Sequence, residues 1–341
     1  MSETPKTMKA WLYTAATGGV EKNLKLTSDA SPPFPGAPPK DAVLVKVAYS
    51  SLNPVDYKLP ALGLLGRLLV SLPASPGLDF AGVVAAVGSA VASFKVGDEV
   101  FGRVDPNRFG TLGEYVSAKP EGLAHVPAGV TLEAASTVGT AGLTAYQCVA
   151  PNVVAGDKVF INGGSGGTGV FGIQFAKALG CHVTTTCSGK NEALVRSLGA
   201  DDVIDYTKEN VSEALKAKGQ VFKLAVDNVG STPPDLYKAA DHYLLPEGKF
   251  IQVTVDMSFG GFLNVASRQL LPSVLGGGKR KLEIFVTRNS HEDLEQIGTW
   301  LKEGKVKAVI DESYAYEDAP KAFEKLRTGR VKGKLVIRGP A

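Results

Sequence analysis

The stretch Lys158-Val159-Phe160-Ile161-Asn162-Gly163-Gly164-Ser165-Gly166-Gly167-Thr168-Gly169 decides how this chain folds. A short apolar, β-rich run meets a cluster of glycines, and an amphipathic run at 170–180 begins at once. Read from Gly164, the spacing is G-x-G-x-x-G through Gly164, Gly166 and Gly169. Strand, tight turn and helix in that order place a pyrophosphate on the N–H groups at a helix N-terminus. Glycine is needed because the turn demands unusual dihedrals and because a side chain would block the phosphates. A chain with 39 glycines can show this pattern by chance, so the surroundings carry the argument.

Those surroundings alternate regularly. Residues 182–187 read as a second strand and 191–198 as a helix ended by Gly199. Residues 202–206 form a third strand, followed by a helix at 208–216. A fourth strand at 223–227 and a fifth at 248–253 follow, with another helix between them. Strands alternating with short helices imply right-handed βαβ units and a parallel, doubly wound sheet.

The grammar differs on either side. Before about residue 125, strand-like runs at 43–49, 80–88, 98–102 and 110–117 are divided by Gly and Pro turns, as in a barrel-like β domain. After 288, a helix at 291–302 leads into a strand at 306–310, and a helix at 319–326 into a strand at 333–337. These last strands are expected to complete the N-terminal domain, with the nucleotide-binding segment inserted between its parts.

The length of 341 residues suits two domains. Hydrophobic content of 44% with 21% charged residues is ordinary for a globular protein, and a net charge of +3 without basic runs argues against a nucleic-acid partner. Cys148, Cys181 and Cys187 have no paired spacing and read as buried thiols in a reducing compartment. Residues 1–10 lack an apolar signal core, and Gly339-Pro340-Ala341 is no lipidation or peroxisomal signal, so a cytoplasmic location is expected. The apolar run at 62–72 is broken by Arg67 and is too short to span a bilayer, so no membrane partner is expected.

Several phrases resemble the medium-chain dehydrogenase/reductase superfamily from about Lys46 to Ile337. They are Ser51-Leu52-Asn53-Pro54-Val55-Asp56-Tyr57-Lys58, Pro76-Gly77-Leu78-Asp79-Phe80-Ala81-Gly82-Val83-Val84, Val96-Gly97-Asp98-Glu99-Val100 and Gly139-Thr140-Ala141-Gly142-Leu143-Thr144-Ala145-Tyr146. The glycine loop, Arg196-Ser197-Leu198-Gly199-Ala200-Asp201 and Gly333-Lys334-Leu335-Val336 complete the set. Asn53-Pro54-Val55-Asp56 and Asp205-Tyr206-Thr207-Lys208-Glu209-Asn210 resemble more specifically its zinc-free quinone oxidoreductase branch, which includes alkenal and enone reductases. The fold this implies is α/β. A discontinuous GroES-like β-barrel catalytic domain occupies 1–125 and 289–341, and a doubly wound parallel Rossmann domain occupies 126–288.

Zinc members of the superfamily use a Cys, a His followed by Glu, and a second Cys or Asp. Here Asn53 stands at the first position, Gly77-Leu78-Asp79 replaces the Gly-His-Glu element, and the lobe with four closely spaced cysteines is missing. His125, His182, His242 and His291 are scattered, so thiolate and imidazole ligands are lacking and no metal is expected. Without a Lewis acid, alcohol oxidation loses its main means of stabilising an alkoxide. Hydride delivery to a conjugated C=C bond or a quinone needs only donors near a conjugated oxygen, followed by protonation.

About twenty residues beyond the first glycine, NAD-specific sheets place Asp or Glu. Here that spot is Cys187-Ser188-Gly189-Lys190-Asn191, with no carboxylate to repel a 2′-phosphate and with a hydroxyl and an ammonium to bind one. The expected cofactor is NADPH. Its loop contacts would come from Gly164, Ser165, Gly166, Gly167, Thr168 and Gly169, with Ser188, Lys190 and Asn191 beyond.

The resemblance adds Tyr206 near the phosphate, and Thr140 with Ala141 near the nicotinamide or pyrophosphate. Asn228 and Val229 would run under the cofactor, and Gly333 with Lys334 would approach it. It also places Asn53 and Lys58 on the nicotinamide side of the cleft. Asn53 before Pro54 suits a turn equally well, and Lys58 suits a solvated helix start. Mitochondrial-type enoyl reductases carry a catalytic Tyr further on, where this chain has Leu59-Pro60-Ala61-Leu62-Gly63-Leu64-Leu65. Tyr57 is the only nearby phenol, so the catalytic candidates are Asn53, Lys58 and Tyr57, with Lys58 or water as proton source.

The reading is an NADPH-dependent reductase of activated C=C bonds or quinones acting on a small apolar electrophile. A trans-acting enoyl reductase for carrier-bound polyketide intermediates and a non-catalytic NADPH-binding protein are the alternatives. The leucine-rich run at 62–72 suits either an apolar substrate tail or packing on the barrel. Gly276-Gly277-Gly278 and a strand at 281–287 resemble the edge where relatives pair across a two-fold axis, implying a homodimer.

Overall fold

The computed structural model describes residues 5–34, 36–63, 66, 70–106, 110–230, 236–254 and 279–340. The chain divides into one unit of Met1–Leu143 with Arg288–Ala341 and a second of Thr144–Thr287.

The first unit opens with an antiparallel pair, β1 (Met8–Leu12) and β2 (Lys25–Ala30). Strands β3 (Val43–Ser51), β4 (Asp79–Val87), β5 (Glu99–Arg103), β6 (Tyr115–Ala118) and β7 (Leu123–His125) follow. Helix α1 (Val55–Lys58) lies between β3 and β4; α2 (Leu132–Ser136) and α3 (Gly139–Val149) come after β7. Helix α2 packs against β3, β4 and β5. That packing is why the stretch 126–143, expected with the Rossmann segment, falls in the first unit.

The second unit holds β8 (Lys158–Asn162), β9 (His182–Cys187), β10 (Asp202–Asp205), β11 (Phe222–Asp227), β12 (Leu244–Gln252) and β13 (Lys281–Ile284). Its helices are α4 (Gly167–Ala178), α5 (Glu192–Ser197), α6 (Val211–Ala217) and α7 (Ala240–Tyr243). The sheet order is β10-β9-β8-β11-β12-β13 and every pairing is parallel. The first strand therefore lies centrally, between the second and the fourth. This is the doubly wound arrangement whose switch point binds dinucleotides at the strands' carboxyl ends. Phe160, Phe222, Tyr243 and Phe250 form the aromatic core on one face.

The chain then returns to the first unit with α8 (His291–Lys302), β14 (Ile310–Tyr314), α9 (Ala319–Arg327) and β15 (Lys334–Arg338). Strand β15 pairs antiparallel with β3, giving a sheet of order β14-β15-β3-β4-β5-β7 with β6 also on β3. The strand expected at 306–310 starts only at Ile310. Val306 is buried and donates its N–H to Trp300 O, closing the end of α8. The helix expected from Lys208 begins at Val211, because Asp205 binds the turn N–H of Thr207 and Asn210 caps the helix through Glu213 N–H. The sheet strand expected at 110–117 is confined to Tyr115–Ala118. Among the described residues, no helix is long and apolar enough to cross a membrane. Gly276-Gly277-Gly278 and part of the 62–72 run lie outside the described residues.

Candidate active site

Two constructions carry chemistry, one in each unit. In the second unit, Gly163 turns the chain out of β8 with φ 78°, donating its N–H to Thr186 Oγ1 over 2.8 Å. A Cβ on Gly164 would stand 2.1 Å from Thr185 Oγ1, and one on Gly169 would stand 2.2 Å from Gly163 O. Both glycines are therefore demanded by strand-to-helix packing. Gly166 is different. Its φ of −82° and ψ of 173° suit any residue, and an added Cβ would meet nothing closer than Gly163 O at 3.6 Å. The protein leaves open space where a side chain could stand, as a phosphate cradle requires. Gly166 also gives α4 no side-chain cap, so the first N–H groups of the helix, around Gly167, Thr168 and Gly169, stay available to an anion.

Cross-links between strand ends stiffen this cradle. Asn162 Nδ2 donates to Asp227 Oδ1 (2.7 Å) and Thr186 Oγ1 donates to Asn162 Oδ1 (2.6 Å). Asp227 Oδ1 also receives the Val229 N–H, and Asn228 Nδ2 donates to Asn162 O. Asn228 Oδ1 is left buried without a partner among the described residues, an acceptor beside the switch point. Asn191 donates to Ser165 Oγ over 3.1 Å and likewise keeps an unpartnered Oδ1. Lys190 and Tyr206 are exposed, and Ser188 is partly so. At the neighbouring strand end, the Thr207 hydroxyl, helped by the Lys208 ammonium, holds the Asp205 carboxyl below its usual range. The spacing pointed to the glycines and the resemblance to the strand end at Asp227; neither pointed to Asn162 and Thr186, whose contacts with each other and with Asp227 join separate strands.

In the first unit, four segments converge on one buried carboxylate. Asp79, the first residue of β4, is fully buried. Its Oδ1 accepts from Thr140 N–H (2.7 Å) and the Thr140 hydroxyl (2.6 Å), at the start of α3. Its Oδ2 accepts from Asn53 Nδ2 (2.8 Å) and lies 3.4 Å from Lys334 Nζ. Lys334 also donates to Asn53 Oδ1 (2.5 Å) and Leu52 O (2.9 Å). Ser50 Oγ, paired with Thr111 Oγ1, donates to the Asp79 carbonyl and pins its main chain.

Asp56 completes the group by accepting the Asn53 N–H at Oδ2 over 2.7 Å, while its Oδ1 has no partner among the described residues. Burial pushes the Asp56 carboxyl up to about 8; the Asn53 N–H pulls it back and the Asp79 charge pushes it further. Asp56 thus holds its proton at neutral pH. Burial likewise pulls the Lys334 ammonium below the ordinary lysine range, against the attraction of Asp79 and Asp56.

Of the catalytic candidates, Asn53 sits inside this cluster. Lys58 ends α1 half-buried and has no ion pair or side-chain hydrogen bond among the described residues. Tyr57 leans on the apolar cluster around Trp11 and Phe323, and burial raises its phenol. Gly333 and Lys334, expected to approach the cofactor, are packed as follows. A Cβ on Gly333 would meet Val309 O at 2.2 Å, and the Lys334 ammonium turns inward, 2% exposed. Asp79 was visible as an acid within an apolar strand, the one local signal of this cluster. Among the described residues, no group of three or more His, Cys, Asp or Glu is placed to hold a metal ion.

Residues 39–153 match the alcohol dehydrogenase GroES-like domain family, and residues 198–337 match a family described as zinc-binding dehydrogenase. A trans-enoyl reductase of Aspergillus terreus is 46% identical, covering 99% of this chain and 98% of its own length. A chloroplastic NADPH-dependent alkenal/one oxidoreductase of Arabidopsis thaliana is 33% identical over 98% of this chain and 80% of its own. The solved quinone oxidoreductase of Coxiella burnetii superposes with a TM-score of 0.83 at 31% identity, covering 98% of this chain and all of that one. An enzyme of the reductase type with a nicotinamide dinucleotide cofactor follows from these likenesses and from the cradle. The chain belongs to the medium-chain dehydrogenase/reductase superfamily.

Proposed function

We propose that the protein is an NADPH-dependent, metal-independent reductase of α,β-unsaturated carbonyls or quinones. The observation that carries this is the Asn53 amide, buried and anchored at both ends, with one Nδ2–H that meets no acceptor among the described residues. When bound, the reduced nicotinamide supplies hydride to the β-carbon of the conjugated system. Asn53 then donates to the carbonyl oxygen as negative charge grows on it, the role of an oxyanion donor. Lys58 at the end of α1, or water, returns a proton at the α-carbon; Tyr57 is the other nearby donor.

Asn53 and Leu78 stand where zinc members keep the Cys and the His, and the four contacts on the neighbouring Asp79 use up its acceptor capacity. NADPH over NADH is supported by Ser188, Lys190 and Tyr206 around the expected ribose position. The NADPH dependence of the Arabidopsis relative is consistent with it. A cytoplasmic homodimer fits three buried free thiols and the edge strand β13, beside which Val286 is 76% exposed.

The likeness to a trans-enoyl reductase favours a second reading, in which the enoyl group arrives on a carrier protein. The test is NADPH consumption with a medium-chain 2-alkenal, with its saturated aldehyde as control and with product identification. Turnover of the alkenal alone supports the first reading. Turnover only of a carrier-bound enoyl thioester supports the second, and turnover of neither overturns both.

A further inference from the structure

We infer that Asp79 and Lys334 are positioning residues that lock the Asn53 amide as a one-way donor, so the ligand atom facing it must be an acceptor. This rests on the reductase reading of the site. A free amide can exchange its oxygen and nitrogen by a half-turn of the side chain. Here the exchange is blocked from both ends. Lys334 offers only donors and lies 2.5 Å from Oδ1; Asp79 offers only acceptors and lies 2.8 Å from Nδ2. A half-turn would press N–H against ammonium and carbonyl against carboxylate. All three side chains are at least 95% buried, so bulk water has little access to relieve the mismatch.

The lock is itself locked. Asp79 cannot swing, because its other oxygen holds both the N–H and the hydroxyl of Thr140. The Asn53 main chain cannot swing either, because its N–H is held by Asp56. Of the two hydrogens on Asn53 Nδ2, one is given to Asp79 and the second meets no acceptor among the described residues, so it is the one we assign to a ligand.

The test reads the carbonyl stretching band of a 2-alkenal bound with oxidised cofactor, by infrared or Raman difference spectroscopy, alongside turnover with NADPH. The unsubstituted protein is expected to lower the band frequency, and Asn53→Ala to abolish the shift with a loss of about 10²-fold in kcat. Asp79→Asn and Lys334→Gln, which leave Asn53 in place but free to turn, are expected to shrink the shift and lower kcat about tenfold. Near-UV circular dichroism confirms folding; should Asp79→Asn fail to fold, Lys334→Gln gives the reading. A full shift and kcat within about twofold in both variants, with both lost in Asn53→Ala, overturns the lock and leaves the reductase reading standing. An unshifted band and no turnover in the unsubstituted protein overturn both.

Discussion

The main-chain N–H of Asn53 donates to the carboxyl of Asp56 over 2.7 Å within the buried cluster, and the other oxygen of Asp56 meets no donor among the described residues. Folding therefore favours the protonated acid, with a direct consequence for stability against pH.

Asp56 keeps its proton up to about pH 8 in the folded chain, against an ordinary value of 3.8. Between those limits the folded state holds one more proton than the unfolded one, so stability falls as pH rises. The slope from this group is at most ~1.4 kcal/mol per pH unit, and it flattens above about pH 8. Asp56→Asn keeps an acceptor for the Asn53 N–H and removes the titration. Melting temperatures of the two proteins compared from about pH 5 to 9 should diverge along this course; a constant difference refutes it.

The glycines of the cradle should separate into two kinds. Gly169→Ala forces a contact with Gly163 O and should cost about 1–3 kcal/mol of stability. Gly166→Ala has room within the protein and should cost about 1 kcal/mol or less. Its effect should fall on the cofactor, weakening NADPH by about tenfold or more as the methyl group enters the phosphate space. Thermal melts and fluorescence titration with NADPH distinguish the two.

Lys190 is exposed and beside the expected ribose phosphate, where an ammonium-to-phosphate bond is charge-assisted. Lys190→Ala should lower the ratio of kcat/KM for NADPH over NADH by about tenfold, acting on NADPH and leaving NADH nearly unchanged. Equal losses with both cofactors would assign Lys190 to general solubility.

Stability and activity should come apart at the buried ion pair. Asp79→Leu leaves Lys334 buried beside an apolar side chain and should cost about 3–5 kcal/mol. Adding Lys334→Met should restore much of that loss without restoring turnover. Denaturant unfolding of the singles and the double gives the coupling. A double variant that regains activity would show the pair to be structural only.

Much of the second unit was legible because its signals are local. Strand, glycine turn and helix follow within twelve residues at 158–169, and β9 and α8 have the bounds their patterns predicted. The pair β1 and β2 escaped notice because β2, Lys25–Ala30, is largely exposed and carries no alternating apolar face. Asn53 was found through its neighbours in sequence. Its determinants were not, because Asp79 and Lys334 stand 26 and 281 positions away and meet it only through the pairing of β4 and β15 with β3. An acid within the apolar run of β4 was the available clue, and only tertiary structure says what neutralises it.

The placement of Lys334 on the last strand also orders events at the ribosome. Strands β3, β4 and β5 are synthesised early, with Asp79 and Asp56 already destined for burial. The Lys334 ammonium that pairs with Asp79 emerges only after the whole second unit and α9 have been made. The Asp79–Lys334 pair and the closing of β15 onto β3 can therefore form only once the last strand of the chain has been made.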